Sequence, residues 1–332
     1  MKRKWLKRFC GVCVLWIGSA VALLLLIVGG LNLLKFAIYG DYYAIKEDVC
    51  RNPGLSDGFV CQGICVLEEQ ERILVSGYMI DQSPSRIYVT DLDNRSYYVS
   101  VIYGSGKDFT GHSGGIAVCG DSVYIPGGGR LYVLSLASVL EAREGDRVEI
   151  QKIIPVQSEA SFVYADEANV YVGEYHDGRR HFTDHPHETA EGMHHAIVAR
   201  YPREEMEAYH KVEHPHVTPD RIYSVRNNVQ GICFTDDGSV VLSTSYGIGD
   251  TVYYLYREEA AVDSGARLDG VPIYDLCGEY ARVKGPAMGE DLDFSEGRVY
   301  TLSESASDKY VFGKFFFADK IVALDFFGEK KD

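Results

Sequence analysis

One set of three short apolar strands recurs five times along this 332-residue chain, and no other feature limits the fold as strongly. The first members read QGICVL (62–67), GGIAVC (114–119), ASFVYA (160–165), QGICFT (230–235) and EDLDFS (290–295). A polar turn follows each one, then a second strand: RILVSGY (72–78), SVYIPGG (122–128), NVYVGEY (169–175), SVVLSTS (239–245) and RVYTLSE (298–304). Third strands follow at SRIYVTDLD (85–93), GRLYVLSLA (129–137), HHAIVARYP (194–202), DTVYYLYRE (250–258) and DKIVALDFF (319–327). Val, Ile, Tyr and Phe dominate these runs. Asp-Gly, Asp-Ser, Glu-Gly and Ala-Asn separate many of them, and TDDGS (235–239) is the clearest hairpin turn.

Helical periodicity is weak in this region, with one short helix expected in SLASVLEAREG (135–145) and another in PREEMEAYH (202–210). A regular array of three or four antiparallel strands per unit predicts an all-β fold, a five-bladed β-propeller, with six blades if an insertion is miscounted. The first strand of each blade then lines the central axis. Gly63 and Gly231 let two of those strands crowd it, and Cys65 and Cys233 take the place of Ala117 as small packing residues. Fourth strands are expected at 96–103, 148–156, 220–225 and 271–277 for blades one to four. Blade five lacks one, and a segment near YYAIKEDV (42–49) is expected to close the ring.

Five basic residues, Lys2, Arg3, Lys4, Lys7 and Arg8, precede an apolar run with no charge before Lys35. The run exceeds the roughly 20 residues that a spanning helix needs. It is also longer than the apolar region of a cleaved signal peptide, about 7–15 residues. The sequence therefore divides into a basic cytoplasmic flank (1–8), a transmembrane signal anchor (9–36), a linker with the ring-closing strand (37–59) and the propeller (60–328). The basic flank places the N-terminus inside and the propeller outside the cell membrane. Net charge is −15, and without the five flanking bases it is −20. That balance excludes nucleic acid as a partner, because phosphates require clustered Lys and Arg. Six cysteines lie beyond the anchor, and one pair among them, such as Cys50 and Cys61, could be bridged outside the cell.

Propeller ligands usually meet the channel mouth, where inner strands begin and second strands end. Gln62, His112, Glu159, Gln230, Glu290 and Asp291 enter the inner strands. Tyr78, Glu174, Tyr175, Tyr246 and Glu304 leave the second strands. The expected ligand-binding set is Gln62, His112, Glu174, Tyr175, Gln230, Tyr246, Glu290, Asp291 and Glu304. Its amides, carboxylates and tyrosines suit a glycan, a peptide or a cation, and would otherwise satisfy one another around a wet channel. Glu174, Glu290 and Glu304 are the candidate carboxylates for a metal-assisted hydrolase or lyase.

Nine of the ten histidines fall between His176 and His216. Among them His181, Asp184, His185 and His187 could hold a divalent cation, since imidazole suits zinc, copper or nickel. GHSGG (111–115) is like an esterase oxyanion loop, but the chain has no GxSxG elbow. GSGK (104–107) lacks phosphate-loop spacing.

The pattern GHSGGIAV…VYIPGGGRLYVL, VYVGEY, NVQGICF…LSTSYG and PAMGEDLDF…VYTLSESASDKY resembles a family of bacterial secreted or membrane-anchored propeller proteins, over about residues 60–325. A looser resemblance is to the quinoprotein-like and lactonase-like propellers. The lactonase-like channel pattern of Glu, Asn and Asp is not reproduced, because Gln62, His112 and Gln230 stand at comparable inner positions. The resemblance implies the fold and an extracytoplasmic location. It leaves open whether the mouth belongs to a recognition module for a glycan, peptide or envelope protein, to an enzyme, or to a scaffold whose sides make the contacts.

Overall fold

The computed structural model describes residues 2–183, 185–209, 215–316 and 318–328, without the side chains of 2–11 and 311. Asp184, His210 and His214, which the histidine-rich segment includes, and the side chain of Cys10 lie outside the described residues.

Five sheets stand around one axis, each beginning at the centre. Blade one runs outward through Phe59–Leu67, Arg72–Met79, Arg86–Thr90 and Ser96–Tyr103. Blade two uses Ala117–Cys119, Ser122–Pro126, Arg130–Ser135 and Lys152–Pro155. Blade three uses Phe162–Ala165, Asn169–Gly173, Ala196–Pro202 and Arg221–Val225. Blade four uses Val229–Phe234, Ser239–Thr244, Thr251–Arg257 and Ala281–Gly285. Blade five uses Gly289–Ser295, Arg298–Ser303 and Lys320–Leu324, and Lys46–Arg51 from the other end of the domain completes it by antiparallel pairing. The five inner strands are neighbours in the order one, two, three, four, five and back to one. Such closure leaves no long sheet edge for a second chain to pair with.

The hairpins form for local reasons. At Thr235–Ser239, Gly238 takes φ +76°, Gly238 N donates to Thr235 O, and Asp237 Oδ1 accepts the Ser239 amide at 3.1 Å. Alternation within the strands buries apolar side chains between blades in four clusters. One links blade five to one (Phe59, Ile64, Leu302, Ile321), one links one to two (Leu74, Val89, Ile116, Val123), and one links two to three (Tyr124, Leu131, Val172, Ile197). A larger cluster joins three, four and five around Tyr223, Leu242 and Leu292. Cys65 and Cys233 are buried packing residues, and burial raises both thiols far above their ordinary range.

Two fourth strands differ from expectation. The 148–156 segment splits: Arg147–Ile150 pairs in parallel with the outer edge of blade one, and only Lys152–Pro155 serves blade two. The 271–277 segment pairs in parallel with Arg221–Val225 of blade three, and blade four takes Ala281–Gly285 instead. Both displaced strands bury one apolar face against a neighbouring blade, so outer edges are exchangeable in a way that inner positions are not. Cys50 and Cys61, on separate strands, are free thiols rather than a disulfide, and Asn52 Nδ2 donates to Cys61 Sγ at 2.9 Å. The two short helices are present as Leu136–Leu140 and Arg203–Ala208.

Before the propeller, one helix covers Lys2–Ile38. Its Val12–Ile38 part, 27 residues, is long and apolar enough to cross a membrane.

Candidate functional site

The site grows from the two ends of one hairpin in blade five. Glu290 opens the inner strand and Glu304 closes the second, so the hairpin returns both carboxyls to the same mouth. They hydrogen-bond to each other. Both are buried, and burial together with their mutual repulsion holds Glu290 well above the carboxylate range. Burial also raises Glu304, against the lowering influence of Lys309 and Gln62. Two like charges this close share a proton, so the pair carries one charge and titrates as a unit. Gln62 Nε2 donates to Glu304 Oε2 at 2.8 Å and to Cys61 O at 2.8 Å, which fixes the amide from blade one onto the pair.

Lys309 supplies the cation. It sits in the long connection between the second and third strands of blade five. Its ammonium donates to the Tyr78 hydroxyl and lies 4.9 Å from the ring centroids of both Tyr78 and Tyr310. His112 stacks on Tyr78 with centroids 4.5 Å apart and planes at 26°. Burial first, then the charges of Lys309 and His181, lowers His112 to about 4, so its imidazole is neutral at ordinary pH. A cavity of about 250 Å³ opens over this group, lined by Tyr78, Gln82, Ser83, Thr110, His112 and Lys309.

Other expected mouth residues are placed differently. Asp291 lies inside the axis with no exposure, its Oδ2 facing the Ile64 and Ile116 amides at 3.4 Å. Two residues on, Asp293 Oδ2 accepts the Val66 amide at 2.6 Å. The axis is therefore crossed by carboxyls that satisfy the inward-facing amides of blades one and two, where a wet channel would use water. Glu174 is equally buried. Its two oxygens accept the amides of Glu159 and Ile197, each at 3.1 Å, and His185 Nε2 lies 3.3 Å from Oε1. It ties the approach to blade three's inner strand onto the third strand. Glu174→Ala should therefore cost about 2 kcal/mol in urea unfolding, because it strands the buried Ile197 amide and the partly buried Glu159 amide. Glu174→Gln, which keeps one acceptor, should cost less. Gln230 Nε2 donates to Ser245 Oγ at 3.3 Å, and Tyr175 presents its hydroxyl to Ser245 O at 3.4 Å. Tyr246 stands half-exposed at the rim with the Arg179 guanidinium 5.2 Å from its ring.

The histidine segment disperses. His185 turns to Glu174, His187 Nε2 pairs with Asp275 at 2.9 Å, and His181 packs edge-on against Tyr175 at 5.5 Å. Among the described residues, one group brings three metal-ligating atoms within 4.8 Å of one another: Glu191, His194 and Cys277. Both Glu191 oxygens there are already occupied. Oε1 accepts the Gly278 and Glu279 amides, and Oε2 lies 2.7 Å from the Arg226 guanidinium. A cation would have to displace that guanidinium, so Glu191 reads best as the clasp that pins its hairpin to blades three and four.

No family model and no curated protein matches the sequence. Solved structures of similar course include PQQ-bound aldose sugar dehydrogenase from Streptomyces coelicolor, at 15% identity and TM-score 0.43 over 78% of this chain and 77% of that one. Glutaminyl cyclase from Myxococcus xanthus aligns at 10% identity and TM-score 0.43, over 78% and 91%. BamB from Moraxella catarrhalis aligns at 10% and 0.34, over 82% and 84%. At these values no residue and no activity transfers. The blade count rests on the strand order above.

Proposed function

We propose that this protein is a single-span membrane protein whose outer propeller binds a neutral polyhydroxyl ligand, a glycan, at the mouth built on Glu290 and Glu304. The apolar helix Val12–Ile38 and the five basic residues before it support an uncleaved anchor with a cytoplasmic N-terminus. The carrying observation is the network Glu290–Glu304–Gln62 with Lys309 beside the Tyr78–His112 stack. Its charges compensate: one negative charge shared by the carboxyl pair faces one ammonium. A charged ligand would find no unmatched partner there. In the cavity a sugar would find donors (Lys309, Tyr78), an acceptor (the neutral His112) and an aromatic face together, with the buried carboxyl pair as counter-charge to Lys309.

A hydrolase or lyase at the same mouth is the second reading, favoured by the shared proton. Glycoside cleavage of the usual kind sets its carboxyls about 5 Å or more apart to admit a nucleophile or water. A directly hydrogen-bonded pair leaves no such gap. A metal-assisted reaction would need both carboxylates ionised, against the burial that keeps the shared proton on the pair.

Full-length protein in detergent, applied to an array of neutral and acidic oligosaccharides, tests the proposal. A neutral oligosaccharide should bind, and Tyr78→Ala and Glu304→Ala should each weaken it at least tenfold while melting close to the parent. Retention only of acidic sugars or peptides, or neutral binding indifferent to both changes, would sink it. Cleavage of the bound sugar would move the assignment to the enzyme.

A further inference from the structure

Away from the mouth, an apolar cavity lies where the N-terminal helix meets the propeller. It holds about 410 Å³. Leu31, Leu34 and Ile38 of the helix form one wall, and Ile248, Phe312 and Phe316 of blades four and five form the other. Twenty-seven helical residues extend about 40 Å at 1.5 Å each, and the hydrocarbon layer takes about 30 Å. The last two turns, from about Leu31, therefore emerge at the bilayer surface. The propeller grips the helix there: Asn32 Nδ2 donates to Phe315 O and Lys35 Nζ to Phe316 O, both at 2.7 Å. Tyr39, Tyr42 and Tyr43 follow at once, an aromatic cluster of the kind that sits at headgroup level.

We infer that this cavity receives an acyl chain of a bilayer phospholipid, an inference that rests on the reading of residues 12–38 as an uncleaved anchor. The cavity is continuous with the apolar face of the span, so the hydrocarbon layer is its nearest source of ligand. Its polar wall groups are already used. Thr301 Oγ1 donates to Asp291 O, Ser303 Oγ to Ala287 O, and the Tyr39 hydroxyl to Asp250. Lys320 also borders the space, and most of the remaining wall is alkyl and aromatic. A second transmembrane helix does not fit, because one turn of helix about 10 Å wide would by itself fill about 400 Å³. A single extended hydrocarbon chain does. The bound lipid would hold the propeller at a fixed tilt, with the Glu290–Glu304 hairpin directly behind the cavity wall through Gly289, Ser303 and Ser305.

The test uses the full chain in phosphatidylcholine nanodiscs containing a phosphatidylcholine with a diazirine at the end of one acyl chain. After illumination, adducts are mapped by peptide mass spectrometry. The expected result is labelling of 286–289, 301–305 and 312–316 on the propeller, besides the unavoidable labelling of the span. Ala318→Trp should fill the cavity and cut the propeller adducts at least fivefold, with span adducts unchanged. Ile248→Asp, at a position 83% exposed and so without a packing role, should do the same by placing a charge on the wall. Labelled span with an unlabelled propeller, or propeller labelling indifferent to both variants, overturns the inference. Loss of all labelling, with an intact mass short of the N-terminal helix, would instead overturn the anchor reading and this inference with it.

Discussion

Gly63→Ala should destabilise the propeller by about 3 kcal/mol or more, well beyond the roughly 1 kcal/mol expected from an ordinary glycine replacement. A methyl group at Gly63 would sit 2.4 Å from the Gly115 carbonyl carbon and 2.5 Å from the Ile116 nitrogen. Both are backbone atoms of the segment entering blade two's inner strand, so no side-chain rotation relieves the contact. Relief requires blades one and two to move apart at the axis, and that opens the cluster around Ile116 and Val123. The same crowding recurs at Gly231, where a methyl would lie 2.7 Å from the Asp291 Cα and the Leu292 nitrogen. Gly106→Ala provides the comparison. That glycine has φ +78° and open space beyond it, so its replacement carries only the conformational cost of a left-handed residue. Urea unfolding of the three variants separates the two effects. If Gly63→Ala costs no more than Gly106→Ala, the inner strands are not packed this closely.

That crowding also explains what could be read in the sequence. QGIC recurs because a strand near the axis needs a glycine where another backbone passes and a small buried residue two positions on. Those demands are local, so they leave a local signature. Outer edges make no such demand. Arg147–Ile150 and Val271–Asp275 join neighbouring blades in parallel, and an amphipathic strand reads the same whichever blade it covers. The mouth was legible as far as strand ends predict position. Gln62, His112, Glu290 and Glu304 stand together. Glu174 and Asp291 obey the same rule, yet their carboxyls turn to buried amides, because an unpaired amide near the axis outcompetes solvent for a neighbouring acceptor. Lys309 was missed, since it enters from a long connection rather than a strand end. The length of SESASDKYVFGKFFF (303–317) was the available sign.

The propeller should lose stability as pH rises from 5 to 8, opposite to the usual gain away from acid. Glu290, Asp291, Asp293 and Glu304 are all raised by burial, Asp293 to about 7. Each therefore binds its proton more tightly folded than unfolded. The stability they contribute is complete below the ordinary carboxylate pKa near 4 and is lost as pH climbs through about 7 and beyond. For Asp293 alone the interval from 3.8 to about 7 corresponds to about 4 kcal/mol. His112 acts in the opposite sense: lowered to about 4, it favours the fold above pH 6.5 and withdraws that support as pH falls. Burial lowers His176 and His194 in the same sense, so three histidines face four carboxyls, and the net slope stays negative because Glu290 and Asp291 are held well above the carboxylate range. Asp293→Asn isolates the cause, because the amide oxygen still accepts the Val66 N–H while nothing there can ionise. The variant should unfold at higher urea than the parent at pH 8, with the gap narrowing as pH falls and constant below about pH 4. A parent whose stability rises across this range, or a variant with an unchanged slope, would mean that water reaches these carboxyls and that the axis is wet after all.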